Sequence, residues 1–253
     1  MMKRYWLNRV KVSSLGLVAG VTLLVGGLAS PVSAQVVQVT RGDARHSVGF
    51  NLGYFQVKGE DGRVDDDVLL ANLNDLAFEI KDFNNWTFGG EWLYGVSNYL
   101  ETGVGVGYYS RTVPTVYRDF VHDNGSEIAQ DLKLRIVPFT ATIRFLPVGR
   151  GAAVEPYIGA GIGIFNWRYS ESGEFVDFSD GSIFREQYVA DGTAVGPVIV
   201  AGLRFPVGDA LAAGFEYKWQ KAEGDTNAVQ SQLLGDKIDL GGNTFSFTMH
   251  IRF

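Results

Sequence analysis

FSFTMHIRF, residues Phe245–Phe253, ends the chain on a strict alternation of apolar and polar side chains. The apolar members are Phe245, Phe247, Met249, Ile251 and Phe253. Because successive side chains of a β-strand point to opposite faces, this pattern predicts a strand with one apolar and one polar face. The fold class depends on whether the rest of the chain repeats the pattern.

The N-terminus has the layout of a secretory signal peptide. Four basic residues and no acidic residue occupy the first eleven positions, an apolar run follows at Leu15–Ala29, and small residues continue to Ala34. A membrane-spanning helix needs about 20 apolar residues, so an anchor helix is the weaker alternative for this shorter run. We therefore expect cleavage between Ala34 and Gln35, which removes residues 1–34.

The composition excludes several classes of protein. Without residues 1–34 the chain keeps 18 basic and 28 acidic residues, a net charge of −10, which argues against nucleic-acid binding. It has no cysteine, so disulfides and thiolate metal sites are excluded. No later stretch has the roughly 18 consecutive apolar residues of a transmembrane helix.

Eight later segments show period-two alternation. They cover residues of about 46–58, 85–97, 99–112, 129–146, 155–169, 190–205, 210–221 and 244–253. The breaks after the second, fourth and sixth are short, whereas the other breaks are about 15 residues or longer. This pattern predicts an all-β fold, an eight-stranded antiparallel up-and-down transmembrane β-barrel, in one domain over residues 35–253.

The apolar face of each predicted strand is expected to face lipid. An eight-stranded barrel is so narrow that its interior admits only modest side chains, and the apolar faces carry bulky Trp, Phe, Ile and Leu. Aromatic residues collect at the long-loop ends of the strands, as an interfacial girdle requires. These aromatic residues are Tyr54, Trp86, Tyr108, Tyr217 and Trp219.

The fourth segment changes its pattern at Val137–Pro138. Leu132, Leu134 and Ile136 form its apolar face before this point, and Phe139, Ala141, Ile143 and Phe145 form it afterwards. Proline within a sheet usually marks an irregularity, so we interpret the change as a β-bulge. This interpretation places Lys133 and Arg135 in the lumen.

The polar faces predict a cluster of charges inside the barrel. Its members are Glu91, Glu101, Lys133, Arg135, Arg144, Arg204, Glu216, Lys218, His250 and Arg252. Both signs are present, so the charges can pair. We favour a polar plug that satisfies itself, because a narrow barrel needs such a filling, over a functional transport site.

Other kinds of site have weaker support. The Gly-x-Gly runs at Gly103–Gly107 and Gly159–Gly163 lack the spacing of a nucleotide-binding loop. His46 with Ser47, and His250 with Ser246 or Thr248 and Glu216, are weak candidates for hydrolysis. No catalytic residue, metal ligand or cofactor is therefore assigned.

The long breaks carry many acidic residues. They are Glu60, Asp61, Asp65, Asp66 and Asp67 in the first, Asp119, Asp123, Glu127 and Asp131 in the second, and Glu171, Glu174, Asp177 and Asp180 in the third. Without the spacing of a calcium loop, a solvated surface is favoured over a Ca²⁺ or Mg²⁺ site. The spacing of apolar residues over Asp66–Leu76 predicts a short helix at the barrel mouth.

The signal peptide, eight strands, unequal breaks and terminal Phe253 resemble small outer-membrane barrels of the OmpA transmembrane-domain, OmpX and OmpW type. The resemblance implies residence in the bacterial outer membrane, with the loops extracellular and both termini periplasmic. It further implies contact with outer-membrane lipid and lipopolysaccharide, and assembly by machinery that reads the last strand.

Three functions follow as hypotheses. The first is a structural or surface-interaction role through the long acidic loops. The second, which the likeness to OmpW suggests, is a narrow channel for small or apolar molecules. A lipid-modifying enzyme is the third choice.

Overall fold

The computed structural model describes residues 44–253, so the predicted signal peptide and the Ala34–Gln35 cleavage site lie outside the described residues. The strands are β1 (His46–Val57), β2 (Asn85–Gly95), β3 (Leu100–Val121), β4 (Glu127–Phe145), β5 (Glu155–Val176), β6 (Ile183–Val207), β7 (Leu211–Gln220), β8 (Glu223–Asp225), β9 (Lys237–Asp239) and β10 (Gly242–Arg252). The helices are α1 (Val68–Asn72) and α2 (Ala228–Ser231), with 3-10 turns at Glu60–Gly62 and Ile80–Phe83.

Eight of these strands close into a barrel in the order β1-β10-β7-β6-β5-β4-β3-β2. Every neighbouring pair is antiparallel, and β10 closes the ring by pairing with β1 from Ser47–Arg252 to Val57–Gly242. Closure leaves no free strand edge, which is what a sheet needs in order to cross lipid. The predicted eight-stranded up-and-down barrel is confirmed.

A continuous apolar band surrounds one half of the barrel. Large side chains there are strongly exposed, for example Phe50 at 61%, Phe215 at 62% and Val195 at 63%. The predicted outward residues Phe245, Phe247, Met249 and Ile251 of β10, and Phe253 directly after it, all belong to this band. Leaving so much apolar surface in water would cost about 25 cal/mol for each Å², so the band is the lipid-facing surface of a transmembrane barrel.

No helix within residues 44–253 is long and apolar enough to cross a membrane.

The central strands extend far beyond the lipid-facing band. β3 and β5 have 22 residues and β6 has 25, whereas β2 has 11 and β7 has 10. The long loops predicted after the third and fifth strands are therefore wrong, since the turns span only residues 122–126 and 177–182. The alternation continues in these hairpins, but their outward side chains are polar. The prediction counted as strands only segments with an apolar outer face, so it ended these strands too early.

The predicted bulge in β4 is also wrong. The pairing of β4 with β3 keeps one register from Leu100–Phe145 through Val116–Ala129, on both sides of Pro138. Even-numbered residues therefore face inward throughout, and Leu132, Leu134 and Ile136 are buried. The surroundings change instead of the register. In the part of β4 that lies beside lipid, the polar side chains point into the barrel. In the part that extends beyond the lipid, the apolar side chains point into the barrel.

A hydrophobic core consequently fills the half of the barrel that lies beyond the lipid-facing band, on the side of the long hairpins. We call this the upper half. Phe165, Trp167 and Leu134 from the wall are almost fully buried there. α1, five residues long within the predicted Asp66–Leu76 segment, contributes buried Val68 and Leu69 to the same core. Its N-terminus is capped by Asp67, whose Oδ1 accepts a hydrogen bond from the Leu69 N–H at 2.9 Å. The segment after β1 thus folds into the mouth.

Candidate functional site

The lumen within the lipid-facing half contains eight of the ten charged residues predicted to face it. They are Glu91, Glu101, Arg144, Arg204, Glu216, Lys218, His250 and Arg252. They lie on alternate positions of β2, β3, β4, β6, β7 and β10, where the small inward residues Gly103 and Gly105 leave room for long side chains. Among the described residues, each of them except Lys218 lies within 4 Å of an oppositely charged or ionisable group from another strand or turn.

Arg144 is the centre of the first group of charges. Its guanidinium donates to both carboxylate oxygens of Glu91, at 3.1 and 2.5 Å, and lies 3.1 Å from Glu216 Oε2. Tyr157 donates its hydroxyl proton to Glu216 at 2.9 Å. Glu91 therefore binds Arg144 with bidentate geometry, which is among the stronger hydrogen-bonding arrangements, and Glu216 places a second carboxylate beside the same arginine.

A second group lies on the side of the short turns. Arg204 Nη2 donates to Glu101 at 2.6 Å, and Arg150 Nε lies 3.2 Å from the other oxygen of Glu101. Arg252 forms a bidentate pair with Glu155 at 3.0 and 2.5 Å. Each carboxylate is thus matched by at least one arginine from another strand or turn.

Glu155, Arg150 and Tyr157 belong to this cluster but were not among the predicted site residues. Glu155 is fully buried and has the same parity as Tyr157, so the inward pattern of β5 could have identified it. Tyr157 separates the two groups, because the guanidinium carbons of Arg144 and Arg204 each lie 5.1 Å from its ring centre. Arg150 comes from a turn, where alternation gives no signal.

The lumen geometry does not form a serine–histidine–acid relay. His250 is fully buried and lies 3.7 Å from Glu91, yet neither of its ring nitrogens has a hydrogen-bond partner among the described residues. Thr248 Oγ1 also lacks one within that part of the chain. On β1, His46 stacks on Trp92 and Phe253 outside, while the adjacent Ser47 is buried.

Very little free space remains among the lumen charges. The cavity between Glu91, Arg144, Glu216 and Lys218 has a volume of about 30 Å³, close to that of one water molecule. The core above it, with Leu132, closes the lumen a second time. The paired carboxylates and arginines therefore fill the lumen, although Arg144 Nε, Arg204 Nε and both ring nitrogens of His250 have no hydrogen-bond partner among the described residues. Above them lies an apolar plug that the sequence did not reveal.

The rim of the barrel, formed by the segment after β1 and the tips of the long hairpins, carries most of the acidic residues that were expected in long loops. Glu60, Asp61, Asp65 and Asp66 are exposed after β1, and Asp119, Asp123, Glu127, Asp131, Asp177 and Asp180 are exposed on the two long hairpins. Asp67 and Glu171 are instead buried. Within residues 44–253 no group of three or more His, Cys, Asp or Glu is arranged to hold a metal ion.

Aromatic side chains cluster at the tips of the hairpins. Phe178 is 60% exposed and packs edge-on against Phe120, with ring centres 5.6 Å apart. Phe175 stacks on Phe184 at 5.9 Å and meets Tyr188 at 4.7 Å. The rim therefore combines carboxylates with accessible aromatic rings.

Two glutamates of β5 illustrate how the rim differs from the interior. The hydrogen bond from His122, at 3.0 Å, lowers the pKa of Glu174. Burial raises the pKa of Glu171, although hydrogen bonds from Asn72 and Tyr169 act in the opposite direction. Glu171 is a buried carboxylate held by neutral donors.

Lys133 and Arg135 do not face the lumen, contrary to the prediction. Both lie on the outer face of β4, above the lipid-facing band and on the same side as Phe139. The prediction failed because it placed a bulge at Pro138 that the strand does not contain. The two residues lie on the outer wall beyond the apolar band, where charged side chains are expected.

No protein-family model matches the chain, and no curated protein does. Solved structures similar to it include OprG of Pseudomonas aeruginosa, at 10% identity and a TM-score of 0.48, with 86% of this chain and 99% of that chain covered. Neisserial surface protein A has 13% identity and a TM-score of 0.45, over 82% and 97%. Ail of Yersinia pestis, solved with the heparin analogue sucrose octasulfate, has 15% identity and a TM-score of 0.41, over 83% and 99%.

Proposed function

We propose that the protein is an outer-membrane surface barrel that acts through its acidic, aromatic outer rim. The observation that carries this proposal is the closed interior, where paired charges fill the lipid-facing half and an apolar core fills the half above it. In the proposed orientation the short turns and both ends of the barrel are periplasmic, and the long hairpins are extracellular.

The chemistry of the rim favours a cationic partner. Exposed carboxylates attract basic groups, and exposed rings such as Phe178 and Phe184 can hold a lysine or arginine by cation–π contact. A basic, flexible peptide segment of another surface protein fits this combination. The proposal assigns the protein no catalytic activity, and altered lipid A on expression would contradict that assignment.

Binding of a fluorescent oligolysine peptide to the purified barrel in detergent tests the proposal. We expect binding that weakens with salt, and a loss of about tenfold in affinity when Asp61, Asp65, Asp123 and Asp177 are changed to Asn, since each exposed pair contributes up to about 1 kcal/mol. The matched control changes the exposed rim cations Arg185 and Lys221 to Gln, which should not weaken binding. Equal affinity in all three proteins would contradict the proposal.

A narrow channel for small or apolar molecules is the second candidate. A cavity of about 150 Å³ opens at the mouth between Phe175, Phe184 and Tyr188, with Gln130 and Glu171 also lining it. Uptake of a small aromatic dye into vesicles containing the barrel tests this candidate. Uptake above that of empty vesicles would support the channel over the surface role, and uptake equal to empty vesicles would exclude it.

A further inference from the structure

Three cations form a cluster on the outer wall of the barrel that the proposed function does not use. Lys133 and Arg135 project from β4, and Arg168 projects from β5 directly opposite Arg135. They line a surface cavity of about 270 Å³ together with Ser170, Gln187 and Tyr108. We call these three cations the wall cluster.

The wall cluster is electrostatically unbalanced. Like charges directly opposite each other on neighbouring strands destabilise a sheet, and Arg135 faces Arg168 in this way. Among the described residues none of the three forms an ion pair, although Asp191 lies opposite Arg168 and Asp131 lies two positions from Lys133. Arg135 Nε is buried without a hydrogen-bond partner in the same part of the chain. A bound anion would satisfy this arrangement.

The height of the wall cluster on the barrel identifies the kind of anion. Tyr108 and Val137 lie at the upper edge of the lipid-facing band, and Arg135 is the next outward residue of β4 after Val137. Two residues of a strand span about 7 Å, and the headgroup layer of a bilayer is about 5–7 Å thick. Arg135 and its cross-strand partner Arg168 therefore lie beside lipid headgroups, whose anionic groups are phosphates, and Lys133 lies one outward position further from the band.

The side chains suit a phosphate. A guanidinium presents its N–H groups in a planar fork that matches two phosphate oxygens, and a lysine adds a point charge. Ser170 and Gln187 add neutral donors at the wall of the cavity. Tyr108, at the edge of the cavity, is placed to contact the start of the acyl chains.

We propose that Lys133, Arg135 and Arg168 bind the phosphate of a phosphorylated glycolipid headgroup in the outer leaflet. This inference rests on the proposed membrane placement of the barrel and concerns a different surface from the rim. The bound lipid would fix the rotation and height of the barrel wall that carries the longest hairpins.

Native mass spectrometry of the full barrel, released from detergent with added lipid, tests this inference. The probes are bisphosphorylated lipid A and the same lipid A with its phosphates removed. We expect the wild type to retain the phosphorylated lipid preferentially. The triple variant Lys133→Gln/Arg135→Gln/Arg168→Gln should lose about fivefold in affinity for each cation removed.

A second triple variant, Lys81→Gln/Arg185→Gln/Lys221→Gln, removes the same charge from exposed rim positions and should retain the lipid as the wild type does. Equal retention of the two lipids by the wild type, or equal losses in both triple variants, would overturn the inference. Displacement of lipid A by millimolar inorganic phosphate would overturn the assignment to a lipid. Protease protection in vesicles is measured on the same proteins, and failure of the wild type to insert would instead contradict the proposed function.

Discussion

At the scale of single residues, the lumen charges were readable from the sequence because strand parity alone determines which side chains point inward. Glu91, Arg144 and Glu216 come from strands far apart in sequence, yet parity placed each on the inner face before any contact was known. The particular partners were not predictable, since pairing depends on strand register. Arg150 was not predicted because it lies in a turn, where side chains do not alternate between two faces.

Arg144→Leu should destabilise the barrel by about 3–5 kcal/mol, because Glu91 and Glu216 would remain buried without their shared partner. Urea unfolding in lipid vesicles measures this loss. Arg185→Leu at the rim, where the side chain is 80% exposed, is the control and should stay within about 0.5 kcal/mol of the wild type. Equal effects of the two changes would contradict the described lumen geometry.

Stability should depend on pH through Glu171. Its pKa is raised by burial, so the folded state binds the proton more tightly than the unfolded state does. The stability contributed by protonation is complete at low pH and is lost as pH rises above about 4.5 towards the raised folded pKa. Glu171→Gln should remove this decline while keeping an oxygen to accept from Asn72 and Tyr169.

Urea midpoints between pH 4 and pH 8 measure the effect of Glu171. Glu186→Gln, at an exposed position of β6, is the control and should follow the wild-type curve. A Glu171→Gln curve parallel to that of the wild type would show that this carboxyl does not titrate as described.

At the scale of elements, the sequence predicted the number, order and outer faces of the strands in lipid but not their full length. The rule that apolar residues face outward holds only beside lipid. Where β4 passes into water, Leu134 turns from an expected lipid contact into a core residue, and Lys133 turns from a lumen residue into a wall residue. The same alternating pattern thus places apolar side chains inside the barrel before Pro138 and outside it after Pro138.

The segment between β1 and β2 should depend on Asp67. Its carboxylate caps α1, accepts from the Asp239 N–H at 2.6 Å and pairs with Arg63 at 2.9 Å, with both side chains fully buried. Asp67→Asn keeps one capping oxygen but leaves Arg63 buried without a counter-charge, at a cost of about 3–5 kcal/mol.

Limited proteolysis checks the Asp67→Asn prediction, which is that residues 58–84 become cleavable while the lipid-embedded strands stay intact. Asp65→Asn, at an exposed neighbouring position, is the control and should leave the segment as resistant as in the wild type. Resistance of Asp67→Asn at the wild-type level would contradict a role of this ion pair in holding the segment in the mouth.

At the scale of the whole molecule, the barrel is closed by two plugs of opposite character that match their surroundings. Beside lipid, the outer face takes the bulky apolar residues and the interior is left with charges, which pair. Beside water, the interior takes the apolar residues and packs as an ordinary core. The acidic rim and the wall cluster are what remain available to other molecules.

Single-channel recording in planar bilayers tests this closed interior most directly. We expect no stable conductance for the wild type, and none for Arg144→Ala or Arg204→Ala, because the core around Leu132, Phe165 and Trp167 still blocks the path above the lumen charges. A steady ion conductance through the wild-type barrel would contradict it.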